Sequence, residues 1–128
     1  MAQTSFGLPR DQRIRKRKDF DRVFDEGGRI AEDRFRARYL PNGLPFTRVG
    51  VAVPRKFGKA ARRNRARRLL KEAFRLRKDE MPAGIDIIFL PGRDWDDPPL
   101  SDLEKAMARI AERLSERCAA SREAPSDD

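Results

Sequence analysis

Residues 56–75 read KFGKAARRNRARRLLKEAFR, and this stretch predicts a helix with two very different faces. At 100° per residue, one side of a helix over about 60–78 collects the apolar residues Ala66, Leu69, Leu70, Ala73, Phe74 and Leu76. The opposite side is almost purely cationic and carries Asn64, Arg67, Arg68, Lys71, Arg75 and Lys78. The apolar side is expected to pack on a core. Like charges four residues apart repel each other and destabilise the helix. A sequence that tolerates this cost is expected to use the cationic side to bind phosphates.

The segments on both sides of this helix predict further helices and strands. Upstream, a helix is expected over about 18–26, and the alternation of apolar and arginine residues over 34–40 predicts a half-buried strand. A turn at 41–45 separates that strand from another at 48–53, and two strands joined by a short turn are expected to be antiparallel neighbours. Downstream, the apolar run 85–90 predicts a strand buried on both faces. A last helix is expected to begin after Ser101 as its N-cap.

These elements predict a single small α+β domain in the order helix, strand, strand, helix, strand, helix. We expect a mixed β-sheet with the helices on one face. The other face would stay open and carry Arg34, Arg36 and Arg38. Residues 1–12 are expected to form a flexible basic lead-in, 13–117 the folded domain, and 118–128 a flexible tail.

The charge of the chain indicates a polyanionic partner. The 128 residues include 30 Lys and Arg against 21 Asp and Glu, a net charge of +9. The first 78 residues hold 24 basic and 8 acidic side chains. A solvated surface is normally mixed in sign, so this imbalance favours nucleic acid as the partner.

Composition also excludes several kinds of site. The chain has no His and one cysteine, Cys118, which excludes His-based catalysis and an internal disulfide framework. The longest apolar run is far shorter than a membrane span, and residues 1–5 do not resemble a secretory signal. We therefore expect a cytoplasmic protein with no membrane partner.

Three classes of function fit these observations. The first is an RNA-binding subunit of a larger enzyme, and the second is a free-standing basic module, such as a ribosomal protein or a helix-turn-helix DNA binder. The third is a protein nuclease that holds metal ions with the acidic residues Asp25, Glu26, Glu32 and Asp33. Solvated loop charges explain these acids more simply, so we expect neither catalytic nor metal-binding residues in the chain.

Residues 56–75 resemble the signature of the bacterial ribonuclease P protein component. In that family, an Arg-Asn-Arg element opens a basic helix after a Lys-x-Gly-x-Ala lead-in, and here 63–65 and 56–60 supply both. The segments 19–27 and 48–53 also match, so the resemblance covers roughly 13–114. Four matching segments in the family's order make it specific. Ala66 departs from the pattern, because relatives usually have a larger aliphatic residue there.

The resemblance implies a ribonucleoprotein enzyme that removes the 5′ leader from precursor tRNA. The catalyst would be the RNA subunit, with Mg²⁺ bound mainly by that RNA, and the protein would be a non-catalytic subunit that lowers the Mg²⁺ requirement. Its partners would be the catalytic RNA and precursor tRNA, with no obligate protein partner. The implied fold is that of the second domain of a small-subunit ribosomal protein, with a left-handed crossover around the Arg-Asn-Arg helix.

The resemblance also implies two RNA-facing surfaces. The catalytic-RNA surface would consist of Lys56, Arg63, Asn64, Arg65, Arg67, Arg68, Lys71 and Arg75. The leader-binding cleft, between the first helix and the open sheet face, would consist of Phe20, Phe24, Arg36 and Arg38. Core packing and cleft are equally good interpretations of Phe20 and Phe24.

Overall fold

The computed structural model describes residues 12–123 and contains three helices and four strands within them. In chain order the elements are α1 (Arg17–Glu26), β1 (Gly28–Ala31), β2 (Phe35–Pro41), β3 (Arg48–Val51), α2 (Ala60–Arg77), β4 (Ile85–Pro91) and α3 (Leu100–Glu123). The α+β fold class is confirmed. The sequence pattern does not predict β1, because this strand has four residues and buries only Ile30.

The strands form one mixed sheet in the order β1-β2-β4-β3. Strand β2 runs antiparallel to β4, while β3 runs parallel to it, so that Ile87 of β4 lies between Tyr39 and Val49. The predicted pairing of β2 with β3 is therefore wrong. The loop between them crosses the beginning of β4, where Asn42 donates its backbone N–H to the Gly84 carbonyl at 2.9 Å.

Helices cover both faces of the sheet. Helices α2 and α3 pack on one face, where the largest buried cluster includes Phe35, Leu70, Ile87, Phe89 and Met107. Helix α1 packs on the other face, in a smaller cluster of Ile14, Val23 and Ile88. The prediction that all helices share one face is wrong. Because β4 points apolar side chains to both sides, both sides need a cover.

The boundaries of the helices differ from the predicted ones at two places. Helix α3 begins at Leu100, and the Pro99 carbonyl accepts from the N–H groups of Asp102 and Leu103. Ser101 therefore lies inside the first turn and is not the N-cap. The helix continues through Glu123, past the predicted domain end at residue 117. The rest of the predicted tail, 124–128, and the lead-in 1–11 lie outside the described residues.

A buried carboxylate fastens the end of the sheet. Asp86 of β4 is 5% exposed and accepts from Arg48 of β3 through two bonds, Nε to Oδ1 at 2.8 Å and Nη2 to Oδ2 at 2.5 Å. Asp19 of α1 lies 3.6 Å from the same guanidinium group. The hydrogen bonds to Asp86 raise the pKa of Arg48. This group ties α1, β3 and β4 together.

Candidate nucleic-acid interface

The cationic side of α2 lies at the surface, as the pattern predicts. Asn64, Arg65, Arg68 and Lys71 are exposed, whereas Ala66, Leu70, Ala73 and Phe74 are buried. Leu76 is the exception among the predicted core residues, with 42% of its surface exposed near the end of the helix. Arg67 Nη1 donates to Asn64 Oδ1 at 2.9 Å, so these two side chains are held together. The helix thus presents a row of cations and one amide, which suits phosphates and ribose hydroxyls.

The arginines at the start of α2 have different surroundings. Arg63 is half-buried and donates to the Gly58 carbonyl at 3.3 Å, which closes the first turn onto the preceding loop. Arg65 is 59% exposed and lies 3.5 Å from Asp97. Arg62 was not among the predicted site residues. Its guanidinium group lies 4.1 Å from the centroid of the Phe57 ring and donates to the carbonyls of Phe57 and Trp95.

The far end of the row is electrically compensated. Arg75 donates to both carboxylate oxygens of Glu72, at 2.9 and 2.6 Å. These bonds lower the pKa of Glu72 and raise that of Arg75. Of the predicted catalytic-RNA residues, Arg75 therefore offers the least uncompensated charge to a phosphate. The sequence signal for this pairing is the i,i+3 spacing of the two residues.

Lys71 reports a local excess of positive charge. Its pKa is lowered, first because neighbouring side chains partly remove water from the ammonium group, and then because Arg13 and Arg67 repel it. Arg13 precedes α1 in the chain and was not predicted as a site residue. The cationic surface of α2 therefore extends to the segment that leads into α1.

Phe20 and Phe24 are partly core and partly surface. Both are half-buried and pack against the cluster of Ile14, Val23 and Ile88. The Phe20 ring lies over Gly50 of β3, where a Cβ atom would come within 2.7 Å of Cζ. Gly50 therefore gives this ring its place against the sheet. The core interpretation holds in part, because each ring contributes to the core and keeps some exposed surface. Contact of that exposed surface with a leader stays a prediction.

The three arginines in and just before β2 take different positions. Arg38 lies under α1, with its guanidinium group 5.4 Å from the centroid of the Phe24 ring and a hydrogen bond to the Phe24 carbonyl. Arg36 is exposed. Arg34, expected beside them on an open face, instead lies 3.5 Å from both Asp96 and Asp102. That face is open only where α1 does not cover it.

One groove joins residues of the two predicted surfaces. Its volume is about 370 Å³, and both Arg36 of the leader set and Lys56 of the catalytic-RNA set line it. The other lining residues include Phe57, Arg62 and Arg93. The groove therefore connects the exposed part of β2 with the loop before α2, and four of its lining residues are cationic.

The acidic residues considered for a nuclease site do not form one. Glu32 accepts from Arg109 at 2.8 Å and from Arg113 at 3.0 Å, which neutralises it and joins α3 to the loop after β1. Within residues 12–123, no three His, Cys, Asp or Glu side chains converge in a way that would hold a metal ion. The third functional class therefore has no support in the geometry. None of the helices in the same range is long and apolar enough to cross a membrane.

Sequence comparisons identify relatives of this chain. A family model described as Ribonuclease P matches residues 8–115. The ribonuclease P protein component of Pelotomaculum thermopropionicum is 40% identical over 100 residues, which cover 78% of this chain and 89% of the relative. The protein component of Thermotoga maritima is 43% identical over 82 residues, or 64% of this chain and 70% of the relative.

Solved structures agree with the sequence comparisons. The ribonuclease P protein from Thermotoga maritima matches with a TM-score of 0.72 and 32% identity, over 79% of this chain and 96% of that one. The protein from Staphylococcus aureus matches with a TM-score of 0.66 and 26% identity, over 82% and 92% of the two chains. With the family model spanning most of its length, the chain belongs to the ribonuclease P protein family.

Proposed function

We propose that this ribonuclease P subunit is not itself the catalyst but binds both the catalytic RNA and the leader of precursor tRNA. The observation that carries the proposal is the row of exposed cations on α2, which lies beside a groove reaching the exposed part of β2. Protein subunits of a ribonucleoprotein need such surfaces, because RNA strands repel each other and must be brought together.

The catalytic-RNA surface would act through phosphate contacts. Arg65 and Arg68 are exposed on α2, and an arginine offers a planar fork of donors that fits two phosphate oxygens. Asn64 and Lys71 extend the same row. The pKa of Lys71 is lowered first by partial loss of water and then by repulsion from Arg13 and Arg67, and a bound phosphate would offset that repulsion. Arg75, held by Glu72, would contribute less.

The leader-binding cleft would act by stacking and by charge. A leader is single-stranded, so its bases are free to stack on the exposed parts of Phe20 and Phe24. Stacking contributes about 1–3 kcal/mol per base and tolerates any sequence, which suits leaders that differ from one precursor to the next. Arg36 and Lys56 would then hold the leader phosphates along the groove that they share.

Mg²⁺ would belong to the RNA subunit. Within residues 12–123, no three acidic side chains converge on a shared set of metal ligands, and Glu32 is instead engaged by Arg109 and Arg113. The protein's contribution would be indirect. Its cations replace part of the Mg²⁺ that otherwise screens the repulsion between leader and catalytic RNA, which lowers the Mg²⁺ requirement.

The test is cleavage of precursor tRNA by a bacterial ribonuclease P RNA at low Mg²⁺, with and without this protein. We expect cleavage at the mature 5′ end to be stimulated. With the double variant Arg65→Ala/Arg68→Ala, the stimulation should be at least tenfold smaller, because two phosphate contacts are removed. Lys105→Ala, which removes an exposed cation from α3, is the control and should keep it.

Two results would contradict the proposal. If cleavage is unchanged although the protein is bound, the chain would be a free-standing RNA-binding module rather than a functional subunit. Cleavage of precursor tRNA by the protein without any ribonuclease P RNA would mean that the chain is itself a catalyst.

A further inference from the structure

A second groove, of about 580 Å³, lies between the segment before α1 and the loop that joins β2 to β3. We call it the edge groove, because β3 is an edge strand of the sheet. Its lining mixes cationic and apolar side chains: Arg13, Arg15, Lys16, Asp19, Leu44, Phe46 and Arg48. None of the residues assigned above to the catalytic RNA or to the leader lines this groove.

The cationic wall of the edge groove is fixed to the sheet. Arg13 pairs with Val49 of β3 in a parallel bridge, and the Ile14 N–H donates to the Val49 carbonyl at 2.9 Å. Arg13, Arg15 and Lys16 are all exposed. Over residues 12–123, no carboxylate lies within 4.0 Å of any of these three cations.

Asp19 is the acidic residue among the described residues that line the edge groove. It lies 3.6 Å from Arg48, whose guanidinium group is also held by Asp86, so this group of three charges has a net charge of −1. The positive charges of Arg13, Arg15 and Lys16 outweigh it, and the groove as a whole is positive.

The apolar wall is held in place by Asn42. Its Oδ1 accepts from the Leu44 N–H at 2.8 Å, and its Nδ2 donates to the Phe46 carbonyl at 3.2 Å and to Asp86 at 2.9 Å. Gly43 allows the turn with a φ of 73°. The loop is thus rigidly built, yet it leaves Leu44 37% exposed. Leu44 and Phe46 together give the groove a fixed apolar wall beside its cations.

The cationic wall of the edge groove also acts on α2. The pKa of Lys71 is lowered first by partial loss of water and then by repulsion from Arg13 and Arg67. Arg13 therefore lies within electrostatic reach of the cationic row on α2.

We propose that the edge groove binds an unpaired ribonucleotide, with its base against Leu44 and Phe46 and the flanking phosphates on Arg13, Arg15 and Lys16. The combination of an apolar wall with three cations that no carboxylate of residues 12–123 approaches within 4.0 Å fits a single-stranded RNA segment, which offers bases and phosphates together. This inference rests on the proposed function, because it needs an RNA strand on α2. The strand comes either from the catalytic RNA or from precursor tRNA.

The test places a tryptophan in the edge groove and follows its fluorescence. Leu44→Trp is compared with Leu76→Trp, because Leu44 and Leu76 are similarly exposed, at 37% and 42%, and Leu76 lies on α2 outside the groove. The buried Trp95 contributes the same background in both variants. We expect RNA to quench the emission of Leu44→Trp through base stacking and to leave that of Leu76→Trp unchanged.

A second measurement tests the cationic wall. The triple variant Arg13→Ala/Arg15→Ala/Lys16→Ala should bind RNA at least tenfold more weakly than the unmodified chain at low salt. It should also abolish the quenching when these substitutions are added to Leu44→Trp. Unchanged affinity in the triple variant would overturn the assignment of phosphates to this wall.

Two RNA probes distinguish the sources of the nucleotide. Quenching by a bacterial ribonuclease P RNA alone would assign it to the catalytic RNA. Quenching that begins only when a leader-bearing precursor tRNA joins the complex, and not with mature tRNA, would assign it to the leader. Either result supports the edge groove.

Three other outcomes would overturn the inference. Equal quenching in both tryptophan variants, or no quenching of Leu44→Trp while RNA is bound, would contradict the edge groove and leave the proposed function standing. A blue-shifted emission of Leu44→Trp before RNA is added would mean that another part of the chain covers the groove. If the unmodified chain binds neither RNA, the proposed function itself fails.

Discussion

Arg62 and Arg68 are both exposed arginines on α2, but their side chains have opposite roles. Arg62 covers the Phe57 ring and donates to two carbonyls, whereas Arg68 extends from the cationic row. Trp95, which Arg62 also joins, is 4% exposed and packs edge-on against Phe57 with ring centroids 6.3 Å apart. Arg62 therefore holds the loop before α2 against the loop after β4.

This contrast predicts different effects of the same substitution. Arg62→Ala should lower the free energy of unfolding by about 1–2 kcal/mol, because it removes a cation–π contact and two hydrogen bonds. Arg68→Ala should change it by less than about 0.5 kcal/mol, since it is a surface substitution away from such contacts. Urea unfolding of both variants measures the difference. Equal stability of the two would mean that Arg62 belongs to the RNA-binding row.

At the scale of the elements, α1 is the cover of the second sheet face. Ile88 of β4 is completely buried between this face and α1, beside Val23. Ile88→Ala should therefore lower the free energy of unfolding by about 2–5 kcal/mol. If this face were open, as the sequence pattern predicts, water would occupy the space left by the shortened side chain and the free energy of unfolding would fall much less. The urea midpoint of unfolding measures this loss of stability, and Leu76→Ala, at an exposed site, is the control.

The sequence predicts individual elements better than their arrangement. The periodicity of α2 identifies its buried and cationic faces, because a helix repeats within a few residues. The position of β4 between β2 and β3 depends on contacts distant in the chain, which no local pattern contains. The run 85–90 does indicate burial on both faces, which already requires a layer on each side of the sheet. The prediction of one open face is inconsistent with that requirement.

The candidate site shows the same division between local and distant information. Exposure of Arg65, Arg68 and Lys71 follows from helical geometry. The extension of their surface to Arg13 does not, because Arg13 reaches α2 only after its segment joins the edge of β3. The pairing of Arg75 with Glu72 is local, but a count of the cations on one helix face does not predict it, because such a count leaves out the neighbouring acids.

Across the whole molecule, charge is divided along the chain. The net charge of +9 combines an excess of 16 positive charges in residues 1–78 with an excess of 7 negative charges in 79–128. Arg13, near the start of the described chain, is one of the cations whose repulsion contributes to the lowered pKa of Lys71 on α2. RNA could be attracted by the net charge of the chain or bound by direct contacts with its phosphates. The two can be distinguished, because each direct contact releases counterions and so changes the salt dependence of binding.

Salt dependence of RNA binding separates them. If about six phosphates are neutralised, the slope of log affinity against log salt on single-stranded RNA should be near −4. Arg68→Ala/Lys71→Ala should flatten it by about 1.4, since each lost contact removes about 0.7. Glu112→Gln/Glu116→Gln changes the net charge by the same magnitude in the opposite direction, on the exposed side of α3, and should leave the slope unchanged. A slope near zero, or shifts of equal size and opposite sign in the two double variants, would mean that net charge rather than phosphate contact on α2 drives binding.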